Sequence, residues 1–103
     1  MAKSDLIDAV YIASPNSFHY EQAKILLCNK KHVFCEKPID HDVERIKNVI
    51  KALETSKVKY QVGFNRRFDH SFRAVKEAVA AGKIGRPHIL KITSRDPMPP
   101  AVE

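Results

Sequence analysis

Polar side chains follow three apolar segments of this chain, each at the point where the segment ends. Ser14-Pro15-Asn16 comes after the first segment, Glu36-Lys37-Pro38 after the second and Asn65-Arg66-Arg67 after the third. If the segments are parallel strands of one sheet, all three groups lie at the edge where open sheets of this kind bind ligands. The sequence therefore predicts a ligand site that contains amide, carboxylate, ammonium and guanidinium groups.

Lys37 is the residue of this set that is best suited to proton chemistry. An ammonium partly buried at a strand end can hydrogen-bond a substrate hydroxyl, and it can move the hydroxyl proton if its own pKa is lowered. The alternative is a solvated lysine that happens to follow a strand. Glu36 could orient Lys37 or contact a ligand amide, or it could be no more than a surface partner of Lys37.

The remaining polar candidates also have two interpretations each. Arg66 and Arg67 could clamp a phosphate or a polar substrate, or they could form a basic loop paired with Asp69. His19 falls in the first turn of a predicted helix, beside a possible anion site. Taken alone, such a histidine is more often a capping or surface residue.

A zinc site is the other chemistry that the residue types suggest, through Cys28, His32 and Cys35. Strand alternation places His32 and Cys35 on opposite faces, and no fourth ligand has the spacing of a metal site. We therefore interpret both cysteines as small buried hydrophobic residues and expect no metal.

The elements that must position these residues alternate between strand and helix. Strands are predicted over residues 7–13, 32–36, 59–64 and 88–94, and helices over 18–29, 40–56 and 69–82. The first strand is mostly apolar, which is typical of a strand covered on both faces. Asn16 or Ser17 is expected to cap the first helix, Asp40 the second and Asp69 the third. Gly82 is expected to end the third helix.

This order predicts an α/β fold with parallel strands and right-handed crossovers. The fourth strand alternates Leu90 and Ile92 with polar residues, a pattern that favours a one-sided antiparallel sheet. We therefore predict one partial domain over residues 1–68 and the start of a second over residues 69–103. A clean apolar stripe is expected on the second helix, formed by Val43, Ile46, Val49, Ile50 and Leu53.

Charge and hydropathy exclude several classes of protein. The 103 residues have a formal net charge of +6, but the lysines are spread along the chain, so we favour a lysine-rich surface over a nucleic-acid site. No apolar run approaches the roughly 18 residues that a membrane helix needs, and the N-terminus lacks the apolar region of a signal peptide. We expect a cytoplasmic protein.

Three stretches together resemble the Gfo/Idh/MocA family of nicotinamide-dependent sugar and polyol oxidoreductases. They are Asp8-Ala9-Val10-Tyr11-Ile12-Ala13-Ser14-Pro15-Asn16 with His19, then His32-Val33-Phe34-Cys35-Glu36-Lys37-Pro38, then Gln61-Val62-Gly63-Phe64-Asn65-Arg66-Arg67-Phe68-Asp69. The third stretch, with Arg95-Asp96-Pro97, is most similar to the inositol 2-dehydrogenase branch.

The resemblance implies an N-terminal Rossmann domain followed by a second α/β domain. It implies a cofactor, NAD or NADP, and a polyol or sugar substrate. It also implies that Ser14, Pro15, Asn16 and His19 line the dinucleotide cleft and that Glu36 and Lys37 approach the nicotinamide. Lys37 would also bond the reacting hydroxyl as the catalytic residue, and Arg66 would lie beside cofactor and substrate.

The chain departs from the family pattern in its glycines. Gly63, Gly82 and Gly85 are its only glycines, and they do not form the Gly-x-Gly-x-x-Gly loop that holds the pyrophosphate. We therefore expect the C-terminal half of a Rossmann sheet, with doubtful cofactor binding and no catalysis by this chain alone. The alternative is a non-catalytic oligomeric remnant. The apolar strand that begins at Ile7 and ends at Ala13 would expose one edge, which predicts a homo-oligomer.

Overall fold

Strands Ala9–Ile12 (β1), His32–Glu36 (β2) and Tyr60–Gly63 (β3) form one parallel sheet in that order. The computed structural model describes residues 1–95. Val10, Val33 and Tyr60 lie side by side across the sheet, as do Ile12, Cys35 and Val62. The predicted α/β class with parallel strands is confirmed.

Helices His19–Cys28 (α1) and Val43–Ser56 (α2) connect consecutive strands and pack on one face of the sheet. Ile12, Val33 and Cys35 point into this layer and are buried, whereas Tyr11 is 58% exposed on the opposite face. The expectation that the first strand is covered on both faces is therefore wrong for the described residues. When strands lie in sequential order and every crossover has the same hand, the connecting helices lie on the same face of the sheet.

The start of α1 differs from the prediction. Neither Asn16 nor Ser17 caps the helix, because Asn16–Phe18 forms a short 3₁₀ turn whose Phe18 N–H bonds the Pro15 carbonyl. The predicted inner face is confirmed: Ala23, Leu26 and Leu27 are buried.

The cap of α2 lies two residues after the predicted cap. Asp42 caps the helix by accepting a hydrogen bond from Glu44 N, and Asp40 instead accepts from Asp42 N. The predicted apolar stripe is only partly buried, with Val49 1% exposed and Val43 61% exposed. α2 packs against α1, so the part of the stripe that faces α1 is covered and the rest is not.

The chain divides into two units, Met1–Arg67 and Phe68–Glu103. In the second unit, His70–Ala80 forms helix α3, and Asp69 caps it by accepting from Ser71 N and Phe72 N, as predicted. Gly82 follows with φ of 70°, a left-handed conformation that confirms the predicted glycine stop. The identity of each unit as a partial domain stays a prediction.

The strand predicted over residues 88–94 is wrong: this segment has no regular secondary structure. A β-strand exists only when a neighbouring strand bonds its backbone, and residues 1–95 supply none to this segment. Asp96 and Pro97, which contribute to the resemblance, lie outside the described residues.

Candidate functional site

The three polar groups predicted from the strand ends lie at one edge of the sheet. β1, β2 and β3 run parallel, so the residues that follow their last positions emerge on the same side. The chain continues as Ser14-Pro15 after β1, as Lys37-Pro38 after β2, with a cis peptide bond, and as the 3₁₀ turn Asn65–Arg67 after β3. This edge is the candidate site.

An open cleft of about 450 Å³ joins the second and third of these groups. Its lining consists of Lys37, Phe64, Asn65, Arg66 and Arg67. Three cationic residues and one amide residue therefore line a common space, together with Phe64. Such a lining attracts anionic groups and offers hydrogen-bond donors to the oxygens of a hydroxylated ligand.

Ser14, Pro15 and Asn16 do not contribute to this cleft lining. The Ser14 hydroxyl donates a 2.7 Å hydrogen bond to Gln22 Oε1, which ties the end of β1 to α1. Pro15 and Asn16 are exposed at the edge. Contact of these three residues with a cofactor stays a prediction.

Glu36 is held by a residue that the sequence reasoning did not select. The Tyr11 hydroxyl donates a 2.8 Å hydrogen bond to Glu36 Oε1, and this bond raises the pKa of the Tyr11 phenol. Tyr11 pairs with Phe34 across the sheet, so Glu36 is its diagonal neighbour on the same face. Diagonal neighbours lie within reach of long side chains. Strand alternation, once the register was known, could have found this contact.

Gly63 completes the surroundings of Glu36. A Cβ atom built at Gly63 would lie 3.3 Å from both carboxylate oxygens of Glu36 and 3.3 Å from the ring of Phe34. These are closer than ordinary van der Waals contacts, so the absence of a side chain at Gly63 leaves the space that the carboxylate occupies.

His19 is a buried residue, so its interpretation as a capping or surface residue is wrong. Its side chain is fully buried, with Nδ1 2.7 Å from the Pro38 carbonyl oxygen and Nε2 2.8 Å from the Ser14 carbonyl oxygen. Carbonyl oxygens only accept, so a ring nitrogen bonds its partner through a hydrogen that it carries. His19 thus links the segments after β1 and β2, while its contact with a cofactor stays a prediction.

The two cysteines differ in environment. Cys35 is fully buried, and burial raises the pKa of its thiol, whereas Cys28 is exposed, so the prediction of burial is wrong for Cys28. Within residues 1–95, no three His, Cys, Asp or Glu side chains come together as a metal would need.

The helices among residues 1–95 are too short or too polar to cross a membrane.

Comparison with known proteins identifies relatives across most of the chain. The profile of an oxidoreductase family with an NAD-binding Rossmann fold matches residues 1–64. The myo-inositol 2-dehydrogenase of Thermotoga maritima is 44% identical over 97 residues, which are 94% of this chain and 29% of that protein. The chain therefore spans less than a third of the length of this curated relative.

Solved structures share both the fold and the sequence. A probable dehydrogenase from Thermotoga maritima superposes with a TM-score of 0.89 at 43% identity, over 97% of this chain and 30% of that one. A scyllo-inositol dehydrogenase from Lactobacillus casei, solved with bound NAD(H) and scyllo-inositol, gives 0.77 at 45% identity, over 82% of this chain and 25% of that one. The three-stranded sheet with its helices thus matches part of a Rossmann domain.

Proposed function

Because the chain belongs to the Gfo/Idh/MocA family of oxidoreductases with an NAD-binding Rossmann fold, we propose that its strand-end edge is part of a nicotinamide-dependent site for oxidising a polyol. The observation that carries the proposal is the cleft at this edge, where Lys37 and Arg66 face one space. An inositol is the substrate class that the names of the relatives suggest.

A bound nicotinamide supplies the acceptor for the hydride that leaves a carbinol carbon. The chain's own residues act on the hydroxyl of that carbon. The Lys37 amine, when neutral, accepts the hydroxyl proton as the hydride leaves, and the resulting ammonium donates a hydrogen bond to the carbonyl oxygen that forms. Arg66 and Asn65 line the same cleft and donate to further oxygens of the ligand, which orients the reacting carbon.

The lining of the cleft fits the nicotinamide and substrate end of such a site better than the phosphate end. The chain has three glycines and no Gly-x-Gly-x-x-Gly loop, so the pyrophosphate lacks its usual backbone donors. In this proposal the chain binds NAD or NADP weakly and does not complete the reaction alone. The proposal also places the protein in the cytoplasm, a location with which the free thiols of Cys28 and Cys35 are compatible.

Titration of the purified chain with NADH and NADPH, followed by nicotinamide fluorescence, tests the proposed site. We expect weak saturable binding that Lys37→Ala reduces. Lys51→Ala removes the same charge from an exposed position on α2 and serves as the matched control. Absence of saturation with both cofactors, or equal loss in the two variants, would contradict a cofactor site at Lys37.

We also propose that a second copy of the chain covers β1. In residues 1–95, β1 pairs only with β2, so the outer edge of β1 has no strand partner. A mostly apolar groove of about 390 Å³ runs beside this edge, and its lining includes Met1, Val10 and Ile25. Unpaired strand edges beside apolar surface favour association between copies.

Light scattering after size-exclusion chromatography tests this association. We expect an oligomer at micromolar concentration that Ile25→Lys dissociates. Ile50→Lys is the matched control, because Ile50 on α2 is 48% exposed and Ile25 is 53% exposed, but Ile50 does not line the groove. A wild-type monomer, or dissociation by both variants alike, would overturn the proposal.

A further inference from the structure

Lys37 lies between two residues that are each held by a side chain from another part of the sheet unit. Glu36 accepts the 2.8 Å hydrogen bond from the Tyr11 hydroxyl. Pro38 accepts the 2.7 Å hydrogen bond from the His19 ring through its carbonyl oxygen. Lys37 itself is exposed and lines the cleft. Its backbone is therefore anchored immediately before and immediately after the residue.

The His19 anchor is rigid because the ring is part of the buried layer. His19 is among the largest fully buried side chains of the described residues, together with Leu27 and Val49. Its second nitrogen bonds the Ser14 carbonyl oxygen, so one ring sets the spacing between the segments after β1 and β2. A buried polar ring that lost either bond would pay the cost of an unsatisfied group, which favours the bridged arrangement.

The Tyr11 anchor is oriented by a neighbouring ring and by a missing side chain. Tyr11 and Phe34 pack edge to face with ring centroids 5.2 Å apart, which fixes the direction of the phenol. Gly63 leaves room for the carboxylate that the phenol bonds. The Tyr11 anchor therefore lies on the open face of the sheet, whereas the His19 anchor lies in the buried layer.

We propose that His19 and Tyr11 are positioning residues that hold Lys37 at the cleft, acting through the backbone of Pro38 and the side chain of Glu36. This inference rests on the proposed function, in which Lys37 meets the reacting hydroxyl. Proton transfer and hydrogen bonding to a substrate demand placement to within a fraction of an ångström, and small displacements cost large factors in rate. Neither His19 nor Tyr11 needs to touch the ligand.

Two variants and one control test the inference in the full chain. His19→Phe keeps a buried ring but loses both hydrogen bonds, and Tyr11→Phe loses only the hydroxyl. Val49→Ala creates a buried defect in α2 but removes neither the hydrogen bond to Glu36 nor the one to Pro38, and thus controls for loss of stability. The measurements are NMR relaxation of the Lys37 backbone amide and NADH affinity by titration.

We expect greater picosecond-to-nanosecond mobility at the Lys37 amide in both variants, and NADH affinity about fivefold weaker for Tyr11→Phe. Val49→Ala should lower the melting temperature with Lys37 mobility unchanged. If both variants keep Lys37 as ordered as in the wild type, or if Val49→Ala mobilises it equally, the inference is overturned. Should His19→Phe fail to fold, Tyr11→Phe decides.

The outcome also separates this inference from the proposed function. If the wild type binds no NADH, the proposed function fails, while the relaxation of the Lys37 amide in Tyr11→Phe still decides whether Tyr11 positions Lys37. If the wild type binds NADH and neither variant alters the mobility of Lys37 or the affinity for NADH, the proposed site is supported and the positioning roles are contradicted.

Discussion

Gly63 leaves the space in which the Glu36 carboxylate lies, since a Cβ at Gly63 would be 3.3 Å from both carboxylate oxygens. We expect Gly63→Ala to keep the fold and displace the carboxylate by a few tenths of an ångström. The free energy of unfolding should change by less than about 1 kcal/mol, because alanine also restricts the unfolded chain. Denaturant titration and the NMR signals of the Tyr11 ring measure the two effects.

Gly82→Ala is the contrasting control for this prediction. A Cβ at Gly82 meets nothing within 4 Å, but its φ of 70° disfavours any side chain. We expect a loss of about 1 kcal/mol from backbone strain at the end of α3. Unchanged Tyr11 signals in Gly63→Ala would contradict the close packing of Gly63 against Glu36.

The Tyr11 phenol should ionise more easily when Glu36 is removed. The hydrogen bond to Glu36 is the main cause that raises the pKa of Tyr11, and the negative charge of Glu36 adds to it. In Glu36→Ala we therefore expect this pKa to fall toward the usual tyrosine value of about 10, as measured by NMR titration of the ring carbon. Glu54→Ala, on the exposed side of α2, should leave the titration of Tyr11 as it is, and an unchanged Tyr11 in Glu36→Ala would refute the contact.

Two valines of α2 provide a matched test of the packing. Val49 is 1% exposed and Val43 is 61% exposed. Truncation of a buried valine to alanine removes apolar contacts and leaves a cavity, so we expect Val49→Ala to cost about 2 kcal/mol. Val43→Ala should cost less than about 0.5 kcal/mol. Urea denaturation compares the two variants, and equal losses would mean that α2 does not pack on the Val49 side.

The Asp40 carboxylate is expected to stabilise the fold at neutral pH and to lose this effect in acid. The hydrogen bond from the Asp42 backbone lowers the pKa of the Asp40 carboxyl. Arg45, 3.4 Å away, has a smaller effect in the same direction. A carboxyl group whose pKa is lower in the folded state stabilises the fold at pH values above its unfolded-state pKa. This stabilisation is lost as the pH falls through the folded-state pKa. Below about pH 4, wild type and Asp40→Asn should therefore converge in melting temperature.

The control for this pH dependence is Asp5→Asn, since Asp5 is exposed near the N-terminus. We expect its melting temperature to follow that of the wild type from neutral to acidic pH. A constant difference between Asp40→Asn and the wild type over the whole acidic range would show that Asp40 acts through packing and not through its charge.

Local signals in the sequence were sufficient to predict β2 and both ends of α3. A short apolar run that stops at Glu36-Lys37-Pro38 predicted β2 with its observed bounds, and the Asp69 cap and the Gly82 stop follow from local backbone chemistry. The common edge of the strand ends followed from parallel topology alone. β2, the cap and the stop thus depend on residues close together in sequence, whereas the common edge depends on the order and direction of the strands.

Other features depended on packing between distant segments and could not be predicted. The buried ring of His19 is hydrogen-bonded to two carbonyl groups, one of them 19 residues away, that the sequence does not bring together by itself. The exposure of Tyr11 depends on which face the helices cover, and the predicted strand over 88–94 depended on a partner that residues 1–95 do not supply. The cap of α2, in contrast, is a local feature: Asp40 accepts from Asp42 N and Asp42 accepts from Glu44 N, and only the second bond lies in the first turn of the helix.

The His19 bridge has a consequence for how the sheet unit opens. Since the same ring belongs to the buried layer and bonds the segments after β1 and β2, neither segment can separate without exposing that layer. We expect the hydrogen-bonded amides around both segments, such as that of Phe18, to exchange with deuterium only when the whole unit unfolds, and not by local fraying. The candidate site would then be as long-lived as the core beneath it.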